Sequence, residues 1–135
     1  MLVAQSAYLF DTTIENNFGE FGGYLDLELQ DREEIRKYLH ICCVMLPLEA
    51  DCSVASGGER QRIFMAVNLA LASKMSTKIL MLDEPTSALD VGTADTLIEN
   101  IKSYCKLNGM TLIVVSHDGA IADKYADVVL GLHSL

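Results

Sequence analysis

The 135-residue sequence has no tryptophan, only two prolines and few basic residues, 10 Lys and Arg against 19 Asp and Glu. The formal charge of −9 argues against a protein that grips DNA or RNA by its phosphates, so no nucleic-acid partner is expected. Long apolar runs are also missing. The longest, Ile41 to Leu46, has six residues and stops at Pro47, whereas roughly 20 are needed to cross a bilayer. Met1-Leu2-Val3-Ala4 carries no basic leader, so no secretory signal is expected. Cys42, Cys43, Cys52 and Cys105 form no C-x-x-C pair and have no His at metal-ligand spacing. They are expected to be reduced packing residues. Apolar residues, in contrast, make up 50% of the chain, which excludes disorder. The expectation is a soluble intracellular chain of single-domain length, unusually apolar for its size.

Periodicity divides the chain. Residues 2–5 suit a short strand, and 6–30, with Gly19, Gly22 and Gly23, suit a polar loop region. From Asp31, apolar residues at Ile35, Tyr38, Leu39, Cys42, Cys43 and Leu46 trace one helical face, with Asp31 and Glu34 as a cap pair and Pro47 as the stop. A second helix begins after Ser56, where Glu59 completes a capping box; it is apolar nearly all round and therefore buried. The continuous apolar runs 79–82, 111–115 and 128–130 suit strands of a parallel sheet covered on both faces. A helix with Leu97, Ile98, Ile101, Tyr104 and Cys105 on one face lies between the first two, stopped by Gly109. This alternation is the α/β pattern.

Three constellations carry chemistry. In Ile79-Leu80-Met81-Leu82-Asp83-Glu84-Pro85-Thr86-Ser87-Ala88-Leu89-Asp90, an apolar strand ends in two acids, at the edge where open α/β sheets bind ligands. Strand alternation would make the carboxylates diverge: one can hold Mg²⁺ through water, and the other can orient or deprotonate an attacking water. Ser56-Gly57-Gly58-Glu59 places two glycines at a helix start, where free amides and the dipole favour phosphate. Arg60 and Arg62 beside it are expected to form structural ion pairs. Ser116-His117-Asp118 follows the 111–115 strand, putting a histidine at the neighbouring strand's end, within reach of the same phosphate. His40 and His133 lack such context and read as surface residues.

These residues resemble the ATP-binding cassette (ABC) ATPase family, the engine subunits of ABC transporters. Val3 to Phe10 is similar to the Q-loop, with Gln5 as its glutamine. Ala55-Ser56-Gly57-Gly58-Glu59 is similar to the signature motif, with Ala for the usual Leu and Glu for Gln. Asp83 and Glu84 resemble the Walker B acid and catalytic glutamate, Ser87 to Asp90 the D-loop, and His117 the switch histidine. The resemblance implies an incomplete P-loop NTPase-like parallel sheet flanked by helices, with a small α-helical subdomain. The implied layout is a Q-loop strand and loop at 1–10, the helical subdomain at 11–75, and the Walker B, D-loop and switch part of the core at 76–135.

The resemblance further implies Mg²⁺ and ATP, with Asp83 and Gln5 on the metal side. Glu84, His117 and Gln5 would be catalytic, while Ser56, Gly57, Gly58, Glu59 and Asp90 would face nucleotide held by a second ATPase subunit or second copy. A transmembrane transporter subunit and a cytoplasmic place at the inner membrane face are implied too. There are two departures. The stretch from Pro47 to Val54 is short, suggesting a trimmed helical subdomain. None of the nine glycines precedes a lysine, so G-x-x-x-x-G-K-[ST] is not in this sequence. Strand 128–132 would then lack a sheet neighbour. The chain by itself is expected to be inactive, with apolar surface left as a patch or self-association face. The alternatives are a non-catalytic dimerising or split-subunit module and a DNA-repair type ATPase half.

Overall fold

The computed structural model describes residues 1–131. The elements in chain order are β1 (Leu2–Val3), α1 (Ile14–Tyr24), α2 (Arg32–Ile41), a 3₁₀ turn (Cys52–Val54), α3 (Gly57–Lys74), β2 (Ile79–Asp83), α4 (Val91–Leu107), β3 (Thr111–Val115) and α5 (Gly119–Tyr125). The strands form one parallel sheet in the order β1-β2-β3. Leu2 lies opposite Met81, Ile79 opposite Thr111, and Asp83 opposite Val115, so β2 and β3 end level.

Helix α3 is the centre of the packing, touching both α1 and α2. Its Ile63, Ala66, Val67, Leu69, Ala70 and Leu71 are buried, as an all-round apolar helix requires. They belong to one cluster with Val3, Leu80 and Leu82 of the sheet and Leu97 and Ile101 of α4. Each such aliphatic side chain contributes about 1.5–3 kcal/mol relative to exposure. Helix α2 is tied to α4 by Tyr38 and Tyr104, whose rings meet edge-on at 5.9 Å, and by Asn100 Nδ2 donating to Ile41 O at 3.1 Å. Cys42, Cys52 and Cys105 are buried in the same core, and burial pushes their thiols up, Cys105 to about 11. All four cysteines are free.

Three expectations are corrected. Residues 14–24 are helical, not loop. Ile14, Phe18 and Phe21 fall at helical spacing, and Thr13 caps the start by accepting from Asn16 N at 3.1 Å. Gly22 is demanded by packing, because a Cβ there would come within 2.6 Å of Leu27 O as the chain turns back. Helix α2 starts at the expected Asp31 cap but ends at Ile41, well before Pro47. Cys43 adopts φ 61°, and its amide donates to His40 O, closing the helix early. Val128, Val129 and Leu130 form no strand and are exposed; Leu132 and His133 of the same stretch lie outside the described residues.

Among the described residues the sheet is covered on one face, not on both as expected. Val3, Leu80 and Leu82 are buried, whereas the alternating Leu2, Ile79, Ile113 and Val115 are 39–60% exposed. Among the described residues the outer edge of β3 is unpaired as well. The apolar surplus in the composition is therefore visible as an open sheet face beside an open edge, a combination that invites association. Ile113→Lys is expected to change the urea midpoint by no more than about 0.5 kcal/mol equivalent. It should reduce concentration-dependent mass in sedimentation velocity; equal association in both proteins would contradict this.

Candidate functional site

The expected acidic pair sits at the C-terminal end of the sheet. Asp83 is the last residue of β2. Glu84 has already left the strand, with φ 49°, a left-handed conformation that a residue bearing a Cβ rarely takes. The two carboxylates are separated by this turn, not by the strand pleating that the sequence suggested. The Glu84 amide donates to Val115 O at 2.8 Å, fixing the turn to the end of β3. Glu84 Oε1 is buried and makes no hydrogen bond. His117 Nε2 lies 3.3 Å from it, an ion pair when the ring is protonated, and the His117 side chain is 97% exposed. The strand-end acid and the strand-end histidine are thus brought together.

At the other side of the turn, Ser87 Oγ donates to Glu84 O at 3.2 Å, and Gln5 Nε2 lies 3.2 Å from Ser87 Oγ. Gln5, far away in sequence, therefore reaches the same locus through Ser87. Asp90 caps α4, accepting from Thr93 N at 3.1 Å and Thr93 Oγ1 at 2.6 Å, and these bonds hold its carboxyl below the usual range. In this structure Asp90 acts as a helix cap on an exposed turn.

The Ser56-Gly57-Gly58-Glu59 turn forms the expected capping box. Ser56 Oγ accepts from Glu59 N at 3.1 Å, and Ser56 N donates to Glu59 Oε1 at 3.0 Å. The backbone amide and hydroxyl of Ser56 hold the Glu59 carboxyl below its ordinary range. The first-turn amides of Gly57 and Gly58 have no carbonyl one turn earlier to bond. A Cβ on Gly57 would meet nothing within 4 Å, whereas one on Gly58 would come to 3.3 Å from Ala88 O, so this helix start leans on the turn after Glu84. Arg60 and Arg62 are structural, but not through ion pairs as expected. Arg60 bonds the Cys52 carbonyl, and Arg62 bonds those of Gly58 and Cys43, tying the start of α3 to the segments before it.

The box makes the helix start pH-sensitive. Glu59 is held below its unfolded value, so its contribution is present above that value and is lost as pH falls through the folded one. Ser56→Ala is expected to cost about 1 kcal/mol of stability at neutral pH. The pH dependence belongs to the Glu59 carboxylate: the urea-unfolding penalty of Glu59→Gln should be smaller at pH 3 than at pH 7, and a pH-independent penalty would contradict the box.

Two features escaped the sequence. Tyr8, Phe10, Phe21 and Tyr24 form an aromatic cluster, with Phe10 stacked on Tyr24 at 6.2 Å and Tyr8 edge-on to Phe10 at 5.7 Å. Beside it, an open groove of about 640 Å³ runs along α1, lined by Glu15, Asn16, Glu20, Tyr24 and Gln30. Its two carboxylates make it a poor phosphate site. Asn17 is wholly buried and anchors the segment between β1 and α1. The helical spacing of Ile14, Phe18 and Phe21 was the available signal for α1, which carries Asn17 and the groove.

Among the described residues no group of three His, Cys, Asp or Glu gathers to hold a metal. Mg²⁺, however, commonly takes one or two carboxylates and completes its shell with water and phosphate oxygens. Asp83 and the unbonded Glu84 Oε1 fit that oxygen chemistry. No helix among the described residues is long and apolar enough to cross a membrane.

No protein-family model matches the chain. Over 98 residues it is 40% identical to the hemin import ATP-binding protein HmuV of Vibrio vulnificus, an alignment covering 72% of this chain and 38% of that protein. Over 103 residues it is 36% identical to the glutamine transport ATP-binding protein GlnQ of Geobacillus stearothermophilus, covering 76% and 40%. Its fold is similar to the dimeric post-hydrolysis structure of the ATP-binding cassette MJ0796 bound to ADP and Pi. The TM-score there is 0.70 at 28% identity, covering 90% of this chain and 53% of that one. The chain thus spans about two fifths of the length of the curated relatives it matches. Its parallel sheet with flanking helices is the fold of ABC ATPase domains.

Proposed function

Starting from a chain that is homologous to part of the ATP-binding proteins of ABC transporters, we propose that it supplies the signature, acidic and histidine elements of an ATP-hydrolysing transport subunit. The observation that carries this reading is the meeting of Glu84 and His117 at the sheet's C-terminal end, 3.3 Å apart, with Glu84 Oε1 left without a hydrogen bond. A carboxylate with a free lone pair can accept a proton from water, and an exposed imidazole beside it can contact the phosphate group under attack. Asp83 would hold Mg²⁺ through water, with the Gln5 amide oxygen turned to the same ion. Mg²⁺ supplies charge neutralisation to the transferred phosphoryl group when bound. Ser56 and the open backbone at Gly57 and Gly58 would contact phosphate carried by a second subunit, with Glu59 held aside by the capping box and Asp90 at the junction.

The proposed organisation keeps the boundaries 1–10, 11–75 and 76–135 for Q-loop strand and loop, helical subdomain and core part. A transmembrane subunit would dock near Gln5, against the exposed Tyr8 and Tyr24. The proposed location is the cytoplasmic face of the membrane. The 135 residues alone should bind Mg-ATP weakly and release phosphate at background rate, since no lysine-bearing phosphate loop is in this sequence. Micromolar binding in equilibrium dialysis would contradict that. The decisive experiment grafts residues 1–135 into a relative's ATP-binding protein in place of the matched segment. Restored Mg-dependent phosphate release is the expected result, and a soluble, folded but inactive graft would overturn the reading.

A further inference from the structure

Gln61 is one of only three buried polar side chains among the described residues, 7% exposed. It stands one turn after Gly57 on α3, yet its amide Nε2 donates off the helix, to Glu84 O at 3.2 Å. The same carbonyl takes the Ser87 hydroxyl at 3.2 Å, and that hydroxyl is also the partner of Gln5. The Glu84 amide is held by Val115 O. Glu84 is therefore gripped at both its amide and its carbonyl while it keeps φ 49°. Such a conformation is strained for a residue bearing a Cβ and persists only where surrounding contacts over-determine it. Of the two side chains holding the carbonyl, Ser87 is exposed and Gln61 is buried. The second contact between the same parts is Gly58, where a Cβ would press on Ala88 O at 3.3 Å.

We propose that Gln61 is a positioning residue that transmits changes at the Ser56–Gly58 turn to the Glu84 carboxylate of the same chain. The inference rests on the reading above, in which the two motifs serve different nucleotides. A phosphate seated at Gly57 and Gly58 would shift the first turn of α3, and Gln61 would carry that shift to the left-handed residue that aims the acid. Occupancy of one site would thereby be felt by the hydrolytic group of the other.

The test uses the ¹⁵N-labelled chain without nucleotide. Ser56→Ala, which loosens the turn, should displace the amide resonances of Glu84 and Ser87. In the Gln61→Met background the same substitution should displace them by less than half as much. Gln61→Met alone should speed amide exchange at Ser87 roughly tenfold, the loss of about one net hydrogen bond. Gln61→Glu is the second variant. Ionised, it cannot donate and should behave like Gln61→Met; once protonated it can donate to Glu84 O, and coupling should return. A purely structural glutamine would not show that recovery. If Gln61→Met does not fold, Gln61→Glu across the pH range carries the comparison. Undiminished displacement without Gln61, or no displacement in the native chain, would overturn the proposal. Neither outcome touches the hydrolytic reading, which stands or falls on phosphate release by the graft.

Discussion

Asn17→Ala is expected to lower unfolding stability by about 3 kcal/mol, among the largest effects of any single substitution outside the aliphatic core. Asn17 is fully buried, and both ends of its amide are used. Oδ1 accepts from Phe10 N at 2.8 Å, and Nδ2 reaches Phe10 O at 3.1 Å and Thr13 O at 3.0 Å, with Cys52 Sγ at 3.4 Å. Truncation would leave the Phe10 amide without its partner and open a cavity, while Phe10 O keeps the Thr12 amide at 2.8 Å, so the lost amide bond and the cavity add to one another. Asn17→Asp separates the causes. It keeps the volume and the acceptor for Phe10 N but puts a charged oxygen opposite two carbonyls. Its folded pKa would be raised, so the penalty should be largest at neutral pH and shrink as pH falls and the carboxyl protonates. Urea midpoints at constant slope are the measurement. A loss below about 1 kcal/mol for Asn17→Ala would show that the segment between β1 and α1 is not anchored there.

That segment marks where the sequence stopped being legible. Strands β2 and β3 were readable as continuous apolar runs, although only Leu80 and Leu82 of them are buried, and the Ser56 cap and α4 as a cap and a helical stripe. The places of Asp83, Glu84, His117 and Ser56 at element ends were readable because apolar runs and the cap pattern mark those ends; the roles proposed for them come from the resemblance to ABC ATPases. Helix α1 was hidden by Gly19, Gly22 and Gly23, which read as loop residues although at Gly22 the requirement is close approach of Leu27 O. The early end of α2 depends on Cys43 at φ 61°, a conformation that no residue type in 41–47 announces. The Val128–Leu130 run reads as a strand because β propensity describes a surface to pack on, and the structure offers it none. Glu84 leaving the strand, and the Gln61 amide that reaches its carbonyl, are tertiary facts with no periodic trace.

Glu84→Gln should reduce phosphate release by the grafted protein by about 10²–10⁴-fold, or roughly 3–5.5 kcal/mol of transition-state stabilisation, with nucleotide binding retained. In the same substitution the isolated chain should become as stable as before or more stable, by up to about 1 kcal/mol. The opposite signs have one cause. Glu84 Oε1 is buried without a hydrogen bond, and the side chain is only 16% exposed, so the folded state carries a carboxylate oxygen that water no longer solvates. The His117 ring beside it is largely solvated and gives Oε1 no hydrogen bond in this structure. A neutral amide of the same size removes that burden. It also removes the carboxylate that, in the proposed reading, takes a proton from water beside His117. The left-handed backbone and its bonds to Val115, Ser87 and Gln61 do not depend on the side-chain charge, so the geometry should survive the change. Urea unfolding and phosphate release on the same variant provide the two readings. A graft that keeps more than about a tenth of its activity would place the proton acceptor elsewhere. A stability loss above about 1 kcal/mol would mean that the His117 contact, rather than the unbonded oxygen, governs Glu84 in the resting chain.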